Sequence, residues 1–418
     1  MVTRAPLSPA TSTSMPSLYA PWLEALVGGP LPDEHAATCH TCAMLPPPGA
    51  VADTASLYFH PATKCCTYVP ALPNFLVGRI LADRSPGNAA GRASLVARLR
   101  ERATVSPLGV DPPPAYRLTY EHGAADLFGR APDLRCPHYL ADSGGCGIWR
   151  HRMSVCATWF CKHDRGRVGQ AFWQAVRDVL GAVERALAVH CVQVLAPSSD
   201  AARLAVSQRR KTAPAITPAH LGGALPADHA RLWGRYAGRE AVFFEACAGM
   251  VSSLTWDDVI RIGGAEVALA ADVVRDAWRE LHATAPPASP RQGALTVYAI
   301  DETTATCTGY SGTDPLHLPL PLLQVMRVFD GRPLPRALSA ARAAGVTADG
   351  DVVRRLVDFG MLEETDGGPA GRPRRVRPLP ARTKESPMAA KKPAKKVSVK
   401  DMKPAKGGSV KGGGIRHK

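Results

Sequence analysis

Eight cysteines lie between positions 39 and 161 of this 418-residue chain, and they constrain its fold more than any other feature. Thiolates are soft ligands, and sets of four suit Zn²⁺ or an iron–sulfur cluster. One structural zinc needs only four thiolates, so eight slightly favour iron–sulfur. The sequence therefore predicts a metal centre whose ligands are Cys39, Cys42, Cys65, Cys66, Cys136, Cys146, Cys156 and Cys161.

The spacing of the cysteines leaves the number of centres open. Cys39 and Cys42 form a C-x2-C pair, whose turn lets two sulfurs face one metal. Cys65 and Cys66 are adjacent, and adjacent side chains of an extended chain point to opposite sides. Two four-thiolate centres are compatible with this pattern, and so is one centre with spare thiols.

The residues around the cysteines fit a negatively charged metal site. Basic side chains near the cysteines can offset the thiolate charge, namely Lys64, Arg135, Arg150, Arg152, Lys162, Arg165 and Arg167. Gly144, Gly145 and Gly147 flank Cys146, where we expect the backbone to approach the metal. Three nearby histidines are interpreted as neighbours and not as ligands, namely His138, His151 and His163. The isolated Cys191, Cys247 and Cys307 are interpreted as packing residues.

The segment from Arg135-Cys136-Pro137-His138-Tyr139-Leu140 through Gly145-Cys146-Gly147-Ile148-Trp149 to Phe160-Cys161 resembles the YkgJ-type cysteine-cluster family. That family is described as a zinc- or iron-chelating domain, and Lys64-Cys65-Cys66 is similar to its paired cysteine. The resemblance covers residues 35–167 and implies metal binding more than any reaction. The chain departs from the family pattern at Met153 and Trp149, and in the 22 residues that separate Cys42 from Cys65.

The fold is predicted to be mainly α, with an irregular, loop-rich metal-binding domain and a small C-terminal α+β subdomain like a winged helix. Residues 1–18 are predicted to be disordered, and residues 19–190 to form the cysteine-cluster domain. An amphipathic helix is predicted over 168–190, because apolar residues recur there at spacings of three and four. Residues 191–317 form a mainly helical middle region with a strand at 294–300.

Residues 318–366 predict three short helices and a strand. Asp330-Gly331 closes the first helix, Gly345 ends the second, and Thr347 caps the third. The phrases Phe329-Asp330-Gly331-Arg332 and Leu356-Val357-Asp358-Phe359-Gly360-Met361-Leu362 resemble peptide-binding winged helices of the PqqD type. A helical subdomain that only packs against the rest of the chain is the alternative interpretation.

The positive charge of the chain sits in its C-terminal tail. Residues 372–418 hold 16 of the 51 Lys and Arg but only 2 of the 36 Asp and Glu, which leaves the rest of the chain nearly neutral. Residues 367–418 are therefore predicted to be a disordered basic tail. If the subdomain reads peptides, Val397-Ser398-Val399 of this tail is a candidate ligand in cis. The chain carries no apolar stretch typical of a membrane span or signal peptide, so a cytoplasmic location is expected.

Three functions are compatible with these features. The first is a metal-cluster protein with a redox or metal-handling role, and the second is an enzyme that modifies peptides or protein lysines and reads its substrate with the winged helix. The third is a nucleic-acid-binding regulator. We expect an unknown protein or peptide partner, nucleic-acid contact only through the basic tail, and no membrane contact.

Overall fold

The computed structural model describes residues 15–34, 42–46, 57–102, 104–209 and 229–365. The longest helix, α6 (Gly166–Leu195), confirms the amphipathic helix predicted over 168–190. Its buried face includes Phe172, Val176, Leu180 and Leu187, which recur at spacings of three and four. The helix packs along α10 (Trp256–His282) to form the main helical core.

The other helices surround this pair. They are α1 (Ala20–Val27), α2 (Asn74–Ala82), α3 (Ala89–Glu101), α4 (Pro114–Leu127), α5 (Ser154–Thr158), α7 (Ser199–Arg209), α8 (His229–Trp233) and α9 (Glu240–Ser252). Gly264 interrupts α10 with a positive φ of 62°. The protein is mainly helical, as the sequence predicts, and no helix in the described ranges is long and apolar enough to cross a membrane.

The cysteine-rich region contains more regular structure than the sequence analysis expected. Helices α2, α3 and α4 all lie within it, and Phe75, Leu76 and Leu95 are fully buried in the main core. Three short strands form a small antiparallel sheet there, namely β1 (Leu72–Pro73), β2 (Val105–Ser106) and β3 (Gly109–Val110). The domain predicted to be irregular and loop-rich therefore also contains helices that contribute to the main core.

A second hydrophobic core lies in residues 295–362. Strands β7 (Thr296–Ile300), β8 (Thr304–Thr308) and β9 (Leu316–Pro319) form an antiparallel sheet in that order, and β7 confirms the strand predicted at 294–300. Helices α11 (Leu320–Val325), α12 (Leu334–Ala343) and α13 (Gly350–Asp358) follow, and β10 (Leu362–Glu364) pairs with β6 (Pro290–Gln292).

Two details of the sequence analysis differ from the structure. The N-cap of α13 is Asp349, whose carboxylate accepts a hydrogen bond from the Val352 N–H at 2.9 Å, and not Thr347. The boundary predicted after residue 190 falls inside α6. The basic tail and its Val397-Ser398-Val399 segment lie outside the described residues.

A buried ion pair joins the two cores. The Arg165 guanidinium, at the start of α6, donates to both carboxylate oxygens of Asp358, at 2.5 and 2.9 Å. It also donates to the carbonyls of Leu281 and Ala283, which close α10. The Asp358 side chain is only 4% exposed and pairs with Arg354 as well, so its negative charge is fully compensated.

We predict that Arg165→Met lowers the free energy of unfolding by about 2 kcal/mol, because Asp358 keeps Arg354 as a partner but loses two charge-assisted hydrogen bonds, and the Leu281 and Ala283 carbonyls lose their donor. Urea titration followed by tryptophan fluorescence measures the loss. Arg336→Met on the exposed side of α12 is the matched control and should change the free energy by less than about 0.5 kcal/mol. Equal losses in the two variants would contradict the role given to Arg165.

Candidate metal centre

Five parts of the described chain carry the clustered cysteines. Cys42 lies in a turn that its own carbonyl closes with the Leu45 N–H at 3.1 Å, and Cys65 and Cys66 lie in a turn over residues 61–67. The last four span the hairpin of β4 (Tyr139–Leu140) and β5 (Gly145–Cys146), the short helix α5, and the loop before α6. Cys39 lies outside the described residues.

The fold brings these stretches together around Cys65. Its thiol lies within electrostatic range of the thiols of Cys42, Cys136, Cys156 and Cys161. Cys156 is also in range of Cys136 and Cys146. The Cys136 N–H donates to the Cys66 carbonyl at 2.8 Å, which joins the paired cysteines directly to the hairpin segment. This hydrogen bond connects residues 70 positions apart in sequence.

Burial keeps these thiols protonated in the metal-free chain. It raises the pKa of Cys136 to about 12, and the pKa values of Cys156 and Cys161 rise well above the usual 9.0 for the same reason. The pKa of Cys65 rises first through its hydrogen bond with Cys66 and then through burial. Neighbouring thiols raise these values further, since close negative charges repel each other.

Backbone N–H groups oppose this effect at two sulfurs. The N–H groups of Met44 and Leu45 hydrogen-bond the Cys42 sulfur, and the N–H of His138 hydrogen-bonds the Cys136 sulfur. Each bond lowers the pKa of its thiol against the larger effect of burial. A donor aimed at sulfur favours the thiolate, which is the form that binds metal.

A buried indole N–H faces a third sulfur. Trp159 Nε1 is buried without a hydrogen-bond partner, yet it interacts with the Cys161 side chain and lowers the pKa of that thiol. A buried donor that lacks an acceptor costs about 1–3 kcal/mol. Conversion of Cys161 to a thiolate would give this donor a charged acceptor.

Only some of the predicted bases act on the thiols. The positive charges of Lys64, Arg152 and Lys162 lower the pKa values of Cys65, Cys156 and Cys161 respectively, so these bases have the expected effect. Arg98 on α3, which the sequence analysis missed, has the same effect on Cys136.

The other predicted bases have different positions. Arg165 and Arg167 face the second core, where they pair with Asp358 and Glu363. The side chains of Arg135 and Arg150 are exposed.

The glycines beside Cys146 have packing reasons in this fold. Gly144 adopts a positive φ of 63° at the hairpin turn, and its carbonyl accepts a hydrogen bond from Lys64 Nζ at 2.8 Å. A Cβ atom at Gly91 would lie 2.1 Å from the Gly147 carbonyl oxygen, so helix α3 and the hairpin meet backbone to backbone. This contact fixes the hairpin that carries Cys146.

Two buried glutamates, which the sequence analysis missed, support the cysteine-bearing segments. Glu184 on α6 accepts hydrogen bonds from the Ser154 N–H and hydroxyl at the start of α5, and from the Tyr19 hydroxyl. Glu34 accepts from Trp173 Nε1 at 2.8 Å and from the Asp164 N–H at 2.7 Å. The signal for Glu184 was its place on the apolar face of an amphipathic helix, where an acid needs buried partners.

The remaining histidines and cysteines have structural surroundings. Ser94 Oγ lies 2.8 Å from His138 Nδ1, Asp83 lies 2.9 Å from His151 Nε2, and the His163 N–H donates to Asp314. Cys191, Cys247 and Cys307 are fully buried in the two apolar cores, in agreement with their interpretation as packing residues.

Several thiols lie within electrostatic range of one another, and N–H donors or positive charges lower the pKa values of some of them. The described residues do not close a ligand shell: no three of their His, Cys, Asp or Glu side chains are grouped so that they could hold a metal ion. No family model, no curated protein and no solved structure matches the chain.

We predict that the metal-free protein loses stability at alkaline pH. The folded pKa of Cys136 is raised above 9.0, so its contribution to stability is complete below about pH 9 and is lost as the pH rises toward 12. The thermal midpoint of chelated, reduced protein should fall between about pH 8 and pH 10.5. The midpoint of a Cys136→Ser variant should fall less over the same interval, and an equal fall in both proteins would contradict the buried thiol.

Proposed function

We propose that this chain binds an iron–sulfur cluster or zinc through cysteines gathered around Cys65. The observation that supports the proposal is that the Cys65 thiol lies within electrostatic range of the thiols of Cys42, Cys136, Cys156 and Cys161. The resemblance to the YkgJ-type family points to the same residues. When bound, an iron–sulfur cluster would supply one-electron chemistry, whereas zinc would supply a structural cross-link or Lewis acidity.

Some of the surrounding groups favour the thiolate, although the net pKa of each thiol is raised. Burial raises the pKa values of the thiols and so favours the protonated form. A bound cation would offset this effect, because it would compensate the negative charge of each thiolate. The N–H groups of Met44, Leu45 and His138 and the unpartnered indole of Trp159 already face sulfur. Cys39, Cys42, Cys65, Cys66, Cys136, Cys146, Cys156 and Cys161 remain the proposed ligands, and the metal would draw its chosen set into a closed shell.

A second candidate function is modification of a peptide or protein, with the C-terminal subdomain as the substrate reader. One observation favours it: the chain just after Cys161 forms the contact between the proposed centre and the second core. The Thr313 hydroxyl donates to the Cys161 carbonyl at 3.1 Å, and Arg355 donates to the Asp164 carbonyl at 2.7 Å. A reader in this position would hold its substrate beside the cysteines.

Nucleic-acid binding through the subdomain has less support. Arg354 and Arg355 are the only bases of α13, and both make internal contacts. Arg354 pairs with Glu280 and Asp358, and Arg355 covers the ring of Phe359 at 4.5 Å. Nucleic acid would therefore be expected to contact the basic tail and not this helix.

We expect protein purified without oxygen to contain either iron with acid-labile sulfide or stoichiometric zinc. Elemental analysis and absorption spectra distinguish the two metals. Cys146→Ser and Cys161→Ser should lower both the metal content and the thermal midpoint, because metal binding and folding are coupled in thiolate sites. Cys191→Ala, at a buried cysteine outside the proposed ligands, should keep its metal. Folded, anaerobic protein that contains neither metal would overturn the proposal.

We also predict that Trp159→Phe weakens metal binding by about tenfold, because it removes an N–H that faces the Cys161 sulfur. Competition with a coloured chelator measures the affinity. Trp233→Phe is the matched control, since Trp233 Nε1 is also buried without a partner but lies in the helical core. An equal loss of metal affinity in both variants would indicate a general effect of the cavity. It would contradict a specific interaction of the Trp159 N–H with the Cys161 sulfur.

A further inference from the structure

A cavity of about 310 Å³ lies between the turn before α3 and the β4–β5 hairpin, and Cys146 is one of the residues that line it. This volume is at the lower end of the range for small-molecule sites, about 300–1,000 Å³. Cys146 is also one of the proposed metal ligands. A small molecule in this cavity would therefore lie beside the proposed centre.

The walls of the cavity are held in place by contacts that need no ligand. The Asn88 side chain is only 2% exposed, and its Nδ2 donates to the carbonyls of Ile80 and Asp83 at 2.9 and 3.0 Å. The contact between Gly91 and Gly147 fixes the hairpin against α3. The cavity is therefore formed in advance, which reduces the entropy that a ligand must lose to bind.

Trp149 provides an aromatic surface in this cavity. Its side chain is half-buried, and the Arg152 guanidinium carbon lies 3.3 Å from the centroid of its ring. Arg152 Nε also donates to the Trp149 carbonyl at 3.0 Å. These two contacts hold the indole in one orientation. A flat apolar group can pack against a ring that is fixed in this way.

Arg150 provides the positive charge. Its side chain is exposed and forms no ion pair with another side chain in the described ranges. Among the lining residues that the structure describes, it is the only one with a charged side chain. One guanidinium can form a bidentate pair with one carboxylate. A phosphate dianion would keep one negative charge without compensation, so the cavity favours a monoanion.

We propose that this cavity binds a small aromatic carboxylate, with its ring against Trp149 and its charge on Arg150, and places it beside Cys146. Binding depends only on the cavity. Its consequence for chemistry rests on the proposed function: if the cysteines hold a metal, the carboxylate is the class of substrate that approaches the centre from the side of Cys146.

Saturation-transfer NMR of the purified full chain with benzoate and with benzamide, its neutral analogue, tests the proposal. We expect saturable binding of benzoate with a Kd on the order of 1 mM, and binding of benzamide that is about tenfold weaker. Arg150→Gln should weaken benzoate binding about tenfold and leave benzamide unchanged. Arg135→Gln removes an exposed arginine that does not line the cavity, and it should change neither affinity.

Alkylation of chelated, reduced protein locates the site. The Cys146 sulfur forms a bond to the methylene carbon of iodoacetate or iodoacetamide as iodide leaves, and the thiol proton passes to solvent. The ratio of the iodoacetate rate to the iodoacetamide rate at Cys146, measured by mass spectrometry, should exceed the ratio for 2-mercaptoethanol about tenfold. Arg150→Gln should remove this excess, and benzoate should slow the reaction of Cys146 with iodoacetate. Circular dichroism checks that the chelated protein keeps its fold, and the benzoate measurement decides the proposal if it does not.

Several outcomes would overturn the proposal. They are equal affinities for benzoate and benzamide, equal losses in Arg150→Gln and Arg135→Gln, displacement of benzoate by inorganic phosphate as readily as by a second carboxylate, and a folded chelated protein whose Cys146 shows no preference for iodoacetate. The metal content of the protein is measured separately. A chain that binds metal but no benzoate would refute only this inference, and a chain that binds benzoate but no metal would refute only the proposed function.

Discussion

The Arg165–Asp358 ion pair holds the two cores of this protein in one arrangement. Arg165 begins α6, the central helix of the first core, and Asp358 ends α13 in the second. The same guanidinium also fixes the end of α10 through two carbonyls. A buried carboxylate is costly without partners, and Arg165 and Arg354 both pair with Asp358. The loop from Cys161 to Arg165 takes its course from that constraint.

Thiol chemistry places an opposing demand on the same region. Burial raises the pKa values of Cys42, Cys136, Cys156 and Cys161, whereas N–H donors and positive charges lower them by a smaller amount. Lys64 contributes to structure and to electrostatics. Its ammonium group donates a hydrogen bond to the Gly144 carbonyl, and its charge lowers the pKa values of Cys42 and Cys65. A cation bound by the thiolates, as proposed above, would compensate their negative charge.

Helical periodicity was readable from the sequence, whereas the course of the cysteine region was not. Apolar spacing predicted α6 and the helices after residue 318, because those helices have one buried face. The sequence did not predict helices α2 and α3, because prolines and glycines surround them and α3 has little apolar periodicity. The N-cap of α13 could not be read from the sequence, because Thr347 and Asp349 are both good N-cap residues. The path of the backbone decides which of the two side chains reaches the first turn of the helix.

The sequence by itself determined the identity of the candidate ligands, the long amphipathic helix and the concentration of positive charge in the tail, because each depends on residue type and local spacing. Tertiary structure alone decided which cysteines meet. It placed Cys65 among thiols from distant stretches, directed Arg165 and Arg167 away from the sulfurs, and brought Glu184 beneath the helix that carries Cys156. Contacts between residues that are distant in sequence depend on how the helices pack, and local sequence patterns do not predict that packing.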